Sequence, residues 1–179
     1  MDTERTETMH VIAAATARLV AAVAEMSDED LRSPSLLAGW TRGHVVAHVA
    51  RSCDAMRDML IWASTGEGVP GYPSEEAREA GIAAGVGRSA AELTADLAES
   101  AAEFTAAVEE TTDAAWDTVI ETPTGVTFPT GEIPTRRLVE VELHHTDLGL
   151  GYRHTDWTPE FAAMDLAEPM RSWRADRMA

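Results

Sequence analysis

Two stretches of this chain carry side chains that could do chemistry together. The first, GWTRGHVVAHVARSC (residues 39–53), holds His44 and His48 four positions apart, and the only cysteine, Cys53. The second, RRLVEVELHHTDLG (residues 136–149), holds Glu140 and His144, also four apart, with Asp147 one turn on. Imidazole and carboxylate groups are ligands of zinc and related divalent ions, and a four-residue step sets two side chains on one face of a helix.

A helical wheel at about 100° per residue sorts these candidates. With Glu140 at zero, His144 falls near 40°, Asp147 near −20° and Arg137 near 60°. Val139, Leu143 and Leu150 flank one side of this stripe, and Val141 and Leu148 the other. The stripe therefore points into a helical interior, with Glu142, His145, Thr146 and Gly149 on the opposite side. Burying such groups is costly unless they are paired or hold a metal. Periodicity leaves both readings open: a satisfied polar cluster, with Glu140 paired to Arg137, or a metal site. In the first stretch His48 borders the apolar arc of Val45, Val49, Met56 and Leu60, while His44 lies further towards solvent. Cys53 is about 140° from His48, too far round an unbroken helix to share a metal with it. His48, Glu140 and His144 form a His₂Glu set, which suits zinc with a fourth position left open. Ferrous iron and nickel accept the same donors.

The elements that must position these groups are four long helices. The spacing predicts them over about residues 5–26, 41–64, 89–110 and 134–150. Thr41 is an N-cap, Ser89 and Glu92 have capping-box spacing, and Pro134 suits a first turn. A fifth helix is expected to start at Thr158–Pro159 and to be interrupted at Pro169. Residues 64–87, with Gly and Pro punctuation, form a long connection of the kind that carries function or short helices of its own. The stretch before the fourth helix looks extended, with a turn at residues 123–125, and reads as a small hairpin. The fold class is all-α, a four-helix bundle with long connections.

The composition narrows the functions. The formal charge is −17 and no basic block offsets it, which repels nucleic acid and anionic membranes. All fourteen basic residues are Arg, and Lys, Asn and Gln are absent, as a GC-rich genome would produce. One cysteine excludes an internal disulfide and an all-cysteine zinc cage within one chain. No apolar run is expected to reach a membrane span, and the polar, acidic start shows no secretory signal, so a cytoplasmic protein is expected.

The segments LLAGWTRGHVVAHVA, IWASTGEGVPGYPSEEAR and RRLVEVELHHTDLG resemble the mycothiol-dependent maleylpyruvate isomerases, within the wider DinB-like metal-dependent thiol enzymes. The resemblance runs from about residue 36 to 151. It implies a DinB-like bundle over residues 1–155, with a zinc or other divalent ion held by His48, Glu140 and His144. The open position then takes the thiol of mycothiol, an actinobacterial cosubstrate. In that chemistry a thiolate adds to the cis double bond of maleylpyruvate, the resulting single bond rotates, and elimination gives fumarylpyruvate. The substrate is an anion, so Arg residues are expected to hold it: Arg137 by position, then Arg42 and Arg51, each of which can equally be an ordinary ion-pair Arg. Asp147 is expected to orient a ligand histidine, or to cap or pair with Arg. Members of the family often carry Arg just before the metal-binding Glu, where this chain has Val139. Longer members add a C-terminal α/β domain, so residues 156–179 are expected to be an extension, the remnant or truncated start of one. Two other readings keep the fold: a mycothiol S-transferase acting on another electrophile, and a non-catalytic metal- or small-molecule-binding bundle.

Overall fold

The structure, a computed structural model, describes residues 3–178. The four long helices are α1 (Thr3–Ala24), α3 (Arg42–Thr65), α5 (Ala90–Glu110) and α7 (Ile133–Asp147). Short helices lie between and after them: α2 (Asp28–Arg32), α4 (Glu75–Val86), α6 (Asp113–Trp116), α8 (Pro159–Ala163) and α9 (Met170–Asp176). The fold is all-α apart from one hairpin, β1 (Val119–Glu121) and β2 (Thr127–Pro129). Each long helix packs against two others: α1 against α5 and α7, and α3 against the same pair. Around the bundle the order is therefore α1, α5, α3, α7, which makes α3 and α7 neighbours.

Local sequence explains where these helices begin. The Thr41 hydroxyl accepts from the His44 backbone N–H, and His44 Nδ1 receives the Thr41 N–H, so these two residues cap α3 reciprocally. Ser89 and Glu92 make the same box at α5, with Ser89 N donating to Glu92 Oε2 at 2.8 Å. α4 occupies part of the long connection and starts at the Ser74 cap. It packs on α3.

α1 corrects one expectation. By length and composition it could cross a bilayer. Its stripe of Met9, Ile12, Ala15, Leu19 and Val23 is nevertheless buried in the bundle core, at helical spacing. The hairpin is as expected. Pro123 and Thr124 form its corner, Gly125 takes a left-handed φ of 85°, and Ile120 pairs with Phe128 to cap the core.

α7 ends three residues before the expected boundary, because its terminal carbonyls are taken by other partners. Leu36 N donates to Asp147 O at 2.8 Å, and Arg42 Nε donates to Leu148 O at 2.8 Å. These contacts tie the start of α3 to the end of α7. Arg137 ties the two helices again, its Nη1 donating to Val49 O at 3.0 Å. Together the ties fix the register between the two helices that carry the candidate ligands.

The wheel's exposed side of α7 is in fact buried: Glu142 is 0% exposed, and His145 and Thr146 are nearly so. The chain after α7 folds back over that side. Glu142 Oε1 accepts from both N and Oγ1 of Thr158, and Oε2 accepts from the Tyr152 hydroxyl. Trp157 Nε1 donates to Thr146 Oγ1, and Tyr152 stacks on the His145 ring at 3.7 Å. Phe161, Leu166 and Met170 complete the same core. The expected fifth helix stops at Ala163, well before Pro169, and a separate short helix, α9, begins just after that proline.

Candidate metal centre

The capped start of α3 and the ties to α7 bring His48, Glu140 and His144 together. One donor atom from each lies within 4.8 Å of the other two. His48 Nε2 is 3.0 Å from Glu140 Oε2, and His144 Nε2 is 3.4 Å from the same oxygen. Neither approach has hydrogen-bond geometry, so Glu140 Oε2 is a buried acceptor without a hydrogen-bond partner among the described residues. Two imidazole nitrogens and an orphaned carboxylate oxygen that converge without bonding one another suit a cation held between them. Of the two readings left open by periodicity, the Glu140–Arg137 pair does not form among the described residues. Arg137 is fully buried, bonded to Val49 O, and does not line the cavity described below.

The surroundings hold both imidazole rings. His144 Nδ1 lies 2.8 Å from Asp147 Oδ2, which leaves Nε2 free towards Glu140. Arg177, the C-cap of α9, donates to both oxygens of Asp147, from Nε at 3.1 Å and Nη2 at 2.9 Å. Trp40 meets the His48 ring edge-on at 5.5 Å, and the His48 and His144 rings stand perpendicular at 4.7 Å.

Charge follows this geometry. Burial disfavours a charged His48 and lowers its pKa, and Glu140 offsets this only in part. Burial also opposes charge on Glu140, yet the flanking imidazoles hold it well below the usual carboxylate range. For His144, burial is outweighed by its hydrogen bond to Asp147 and by the nearby Glu140 carboxylate, and its pKa is raised to about 9. A cation bound here would have to take the place of the proton that this environment favours on His144.

The triad opens on a cavity of about 470 Å³, large enough for a small organic molecule. Its walls are largely apolar, with Met56, Met59, Val139 and Leu143 from the helices and Val126 and Phe128 from the hairpin. Three guanidinium groups line it: Arg78 of α4, Arg136 of α7 and Arg177. Arg136 stacks over Phe128 at 3.8 Å and pairs with Glu132, while its Nε is buried with no partner among the described residues.

Sequence reasoning singled out other arginines. Arg42 bonds Leu148 O, and Arg51 pairs with Asp54 and Asp96. The signal for Arg136 was its position one turn before Glu140 on the same face. Arg78, Tyr72 and Arg177 reach the cavity through tertiary folding, which no single-helix pattern encodes. His44 is a cap, and Cys53 is buried with Sγ against Ser100 O at 3.3 Å, on the side of α3 that faces α5.

The family model of the mycothiol maleylpyruvate isomerase N-terminal domain matches residues 12–149. The chain belongs to this family. Two crystal structures of the mycothiol-dependent maleylpyruvate isomerase superpose on it with a TM-score of 0.81, one at 33% identity and the other, a histidine-to-alanine mutant, at 32%. Each alignment covers 88% of this chain and 65% of the isomerase chain, so this chain spans about two thirds of those structures. No curated protein matches it in sequence. The matched region contains all three converging donors and Asp147, whereas α8 and α9 lie beyond it.

Proposed function

We propose that the chain is a metal-dependent thiol enzyme that uses mycothiol to isomerise maleylpyruvate, or a closely related cis-unsaturated keto acid, to the trans form. The observation that carries the reading is the convergence of His48 Nε2, His144 Nε2 and the orphaned Glu140 Oε2 at the floor of a small-molecule cavity. Family membership and the similarity to the isomerase structures support it.

In this reading His48, Glu140 and His144 hold a divalent ion, zinc by donor type. The chemistry it supplies when bound is acidification of a thiol ligand, so that thiolate is available near neutral pH. The chain's own residues do the rest. Asp147 keeps the His144 ring turned with Nε2 towards the site, and Arg177 holds Asp147 in place. The apolar walls exclude water and strengthen each charge interaction inside. Arg78 and Arg136 offset the protein's negative field locally, so that a carboxylate substrate can enter. Arg136 takes the carboxylate-holding role that position alone assigns to Arg137. In this reading the protein works in the cytoplasm, where the thiol is available, and its net charge of −17 disfavours nucleic acid and anionic membranes as partners.

The test couples elemental analysis to a thiol-dependence assay. Purified protein is expected to carry about one divalent ion per chain. It is expected to isomerise maleylpyruvate only when mycothiol is added. Conjugation of other electrophiles without isomerisation would replace this reading with the S-transferase one. Metal-free protein after gentle purification, with no uptake on titration, would remove it.

A further inference from the structure

The cavity contains a polar group that none of the roles above uses. Tyr72, in the connection before α4, lines the same cavity as His48 and Glu140. Its hydroxyl is buried and has no hydrogen-bond partner among the described residues. A buried phenol normally finds one, and leaving it unpaired is costly.

The backbone is shaped to hold it there. Gly71 has a φ of 97°, and a Cβ at that position would lie 2.6 Å from Cε of Met59 on α3. The left-handed φ favours glycine, while the Met59 methyl sits at the end of a flexible side chain that could give way. Pro73 and the Ser74 cap of α4 follow directly, so the tyrosine sits between a close approach to α3 and a helix start. Arg78, a turn into α4, lines the cavity beside it and carries its charge to both Tyr72 and His48.

We infer that the Tyr72 hydroxyl is the hydrogen-bond donor to the electrophile, binding the oxygen conjugated to its double bond. The inference rests on the thiol-addition reading above. When a low-molecular-weight thiolate adds, a C–S bond forms at one carbon of the double bond. The π electron pair moves through the adjacent carbonyl carbon onto its oxygen, giving an enolate. The former double bond is now single and rotates. The pair then returns, the C–S bond breaks, and the thiolate leaves unchanged, so no proton or electron is consumed. Negative charge develops on the oxygen that Tyr72 faces, and a preorganised donor at that point lowers the barrier. Tyr72 keeps its proton throughout. Burial, and then the Glu140 carboxylate, push its pKa above the ordinary phenol value.

The test uses metal-loaded protein, wild type and Tyr72→Phe, with two readouts. In the first, maleate is the probe and no thiol is present. Tyr72→Phe is expected to weaken maleate binding about tenfold by calorimetry, as loss of one hydrogen bond to a charged group implies. In the second, thiol-dependent turnover is expected to fall about 100-fold in kcat, with the KM for thiol and the metal content unchanged. Equal maleate affinity in the two proteins, or no maleate binding by wild type, would overturn the assignment. A wild type that binds maleate through Tyr72 but shows no thiol-dependent turnover would overturn the proposed reaction and leave the Tyr72 contact standing. Normal turnover with unchanged kcat in Tyr72→Phe would do the reverse. A third measurement needs no variant at position 72. The chain has two tyrosines, so ¹³Cζ-tyrosine labelling yields two signals, which Tyr152→Phe assigns. Maleate is expected to shift the Tyr72 signal alone; a shift of neither, or of Tyr152 only, counts against the inference.

Discussion

Replacing Glu142 by alanine is expected to be among the most destabilising single changes in this protein, although Glu142 does not line the cavity. Its carboxylate is fully buried and accepts from Thr158 N, Thr158 Oγ1, the Tyr152 hydroxyl and Arg18 Nη2. Arg18 is 40% exposed and can turn to water, so its loss counts for little. The other three donors lie at the buried junction between α7 and the returning chain, and each costs about 1–3 kcal/mol if left unpaired. Partial reorientation of the two hydroxyls brings the total to about 3–5 kcal/mol, the range expected when one partner of a buried charged network is removed. For a chain of this size each kcal/mol moves Tm by about 2–4 °C, so Glu142→Ala is expected to lower Tm by at least about 6 °C. Glu142→Gln keeps one acceptor oxygen and should lose roughly half as much. The assay is thermal and urea unfolding followed by circular dichroism, with both proteins stripped of metal so that ligand binding adds nothing. A loss below about 1 kcal/mol for Glu142→Ala would refute the reasoning, because the donors would then have found other partners.

Three further outcomes follow from the site. His48→Ala and His144→Ala are expected to lose bound metal by elemental analysis, whereas His44→Ala and His145→Ala retain it. Of the latter pair, His44→Ala should also lose about 1 kcal/mol as a cap of α3. Asp147→Asn is expected to weaken metal affinity about 10–100-fold in a competition titration with a chelator, because the His144 ring loses its carboxylate partner; unchanged affinity would mean that packing alone orients the ring. Cys53, whose pKa is raised by burial, is expected to stay silent to a disulfide reagent in the native protein and to react on unfolding. Cys53→Ser should keep thiol-dependent activity, and an inactive but folded variant would make Cys53 itself the nucleophile.

The parts of this fold that depend on one helix at a time are legible in the sequence. Thr41 and the Ser89–Glu92 pair mark real helix starts because capping is a local hydrogen-bond problem. The convergence of His48 with Glu140 and His144 follows from two wheels and the assumption that the helices are neighbours. What fails is any inference that needs to know how many partners a helix has. Glu142, His145 and Thr146 read as a solvent-facing side, yet α7 is covered on both sides, by α1 and α3 and then by the chain after Tyr152. The arginine assignment fails for a related reason. Arg136 and Arg137 are adjacent, about 100° apart on the wheel, and only the hairpin and Val49 O decide which one faces the cavity. Tyr72 and Arg177 lie in a loop and a late helix, where periodicity carries no information about distant contacts.

The ring order of the bundle separates what can change from what cannot. Every converging donor sits on α3 or α7, which are adjacent, while α1 and α5 pack against each other on the far side and contribute no donor. In the proposed reading, substitutions along the α1–α5 seam answer to stability, and those along α3–α7 to the site's chemistry as well. A search for variants that accept a different ion or a bulkier electrophile can leave half of the molecule untouched. It can concentrate its diversity on α3, α7 and the turn of chain at residues 71–78.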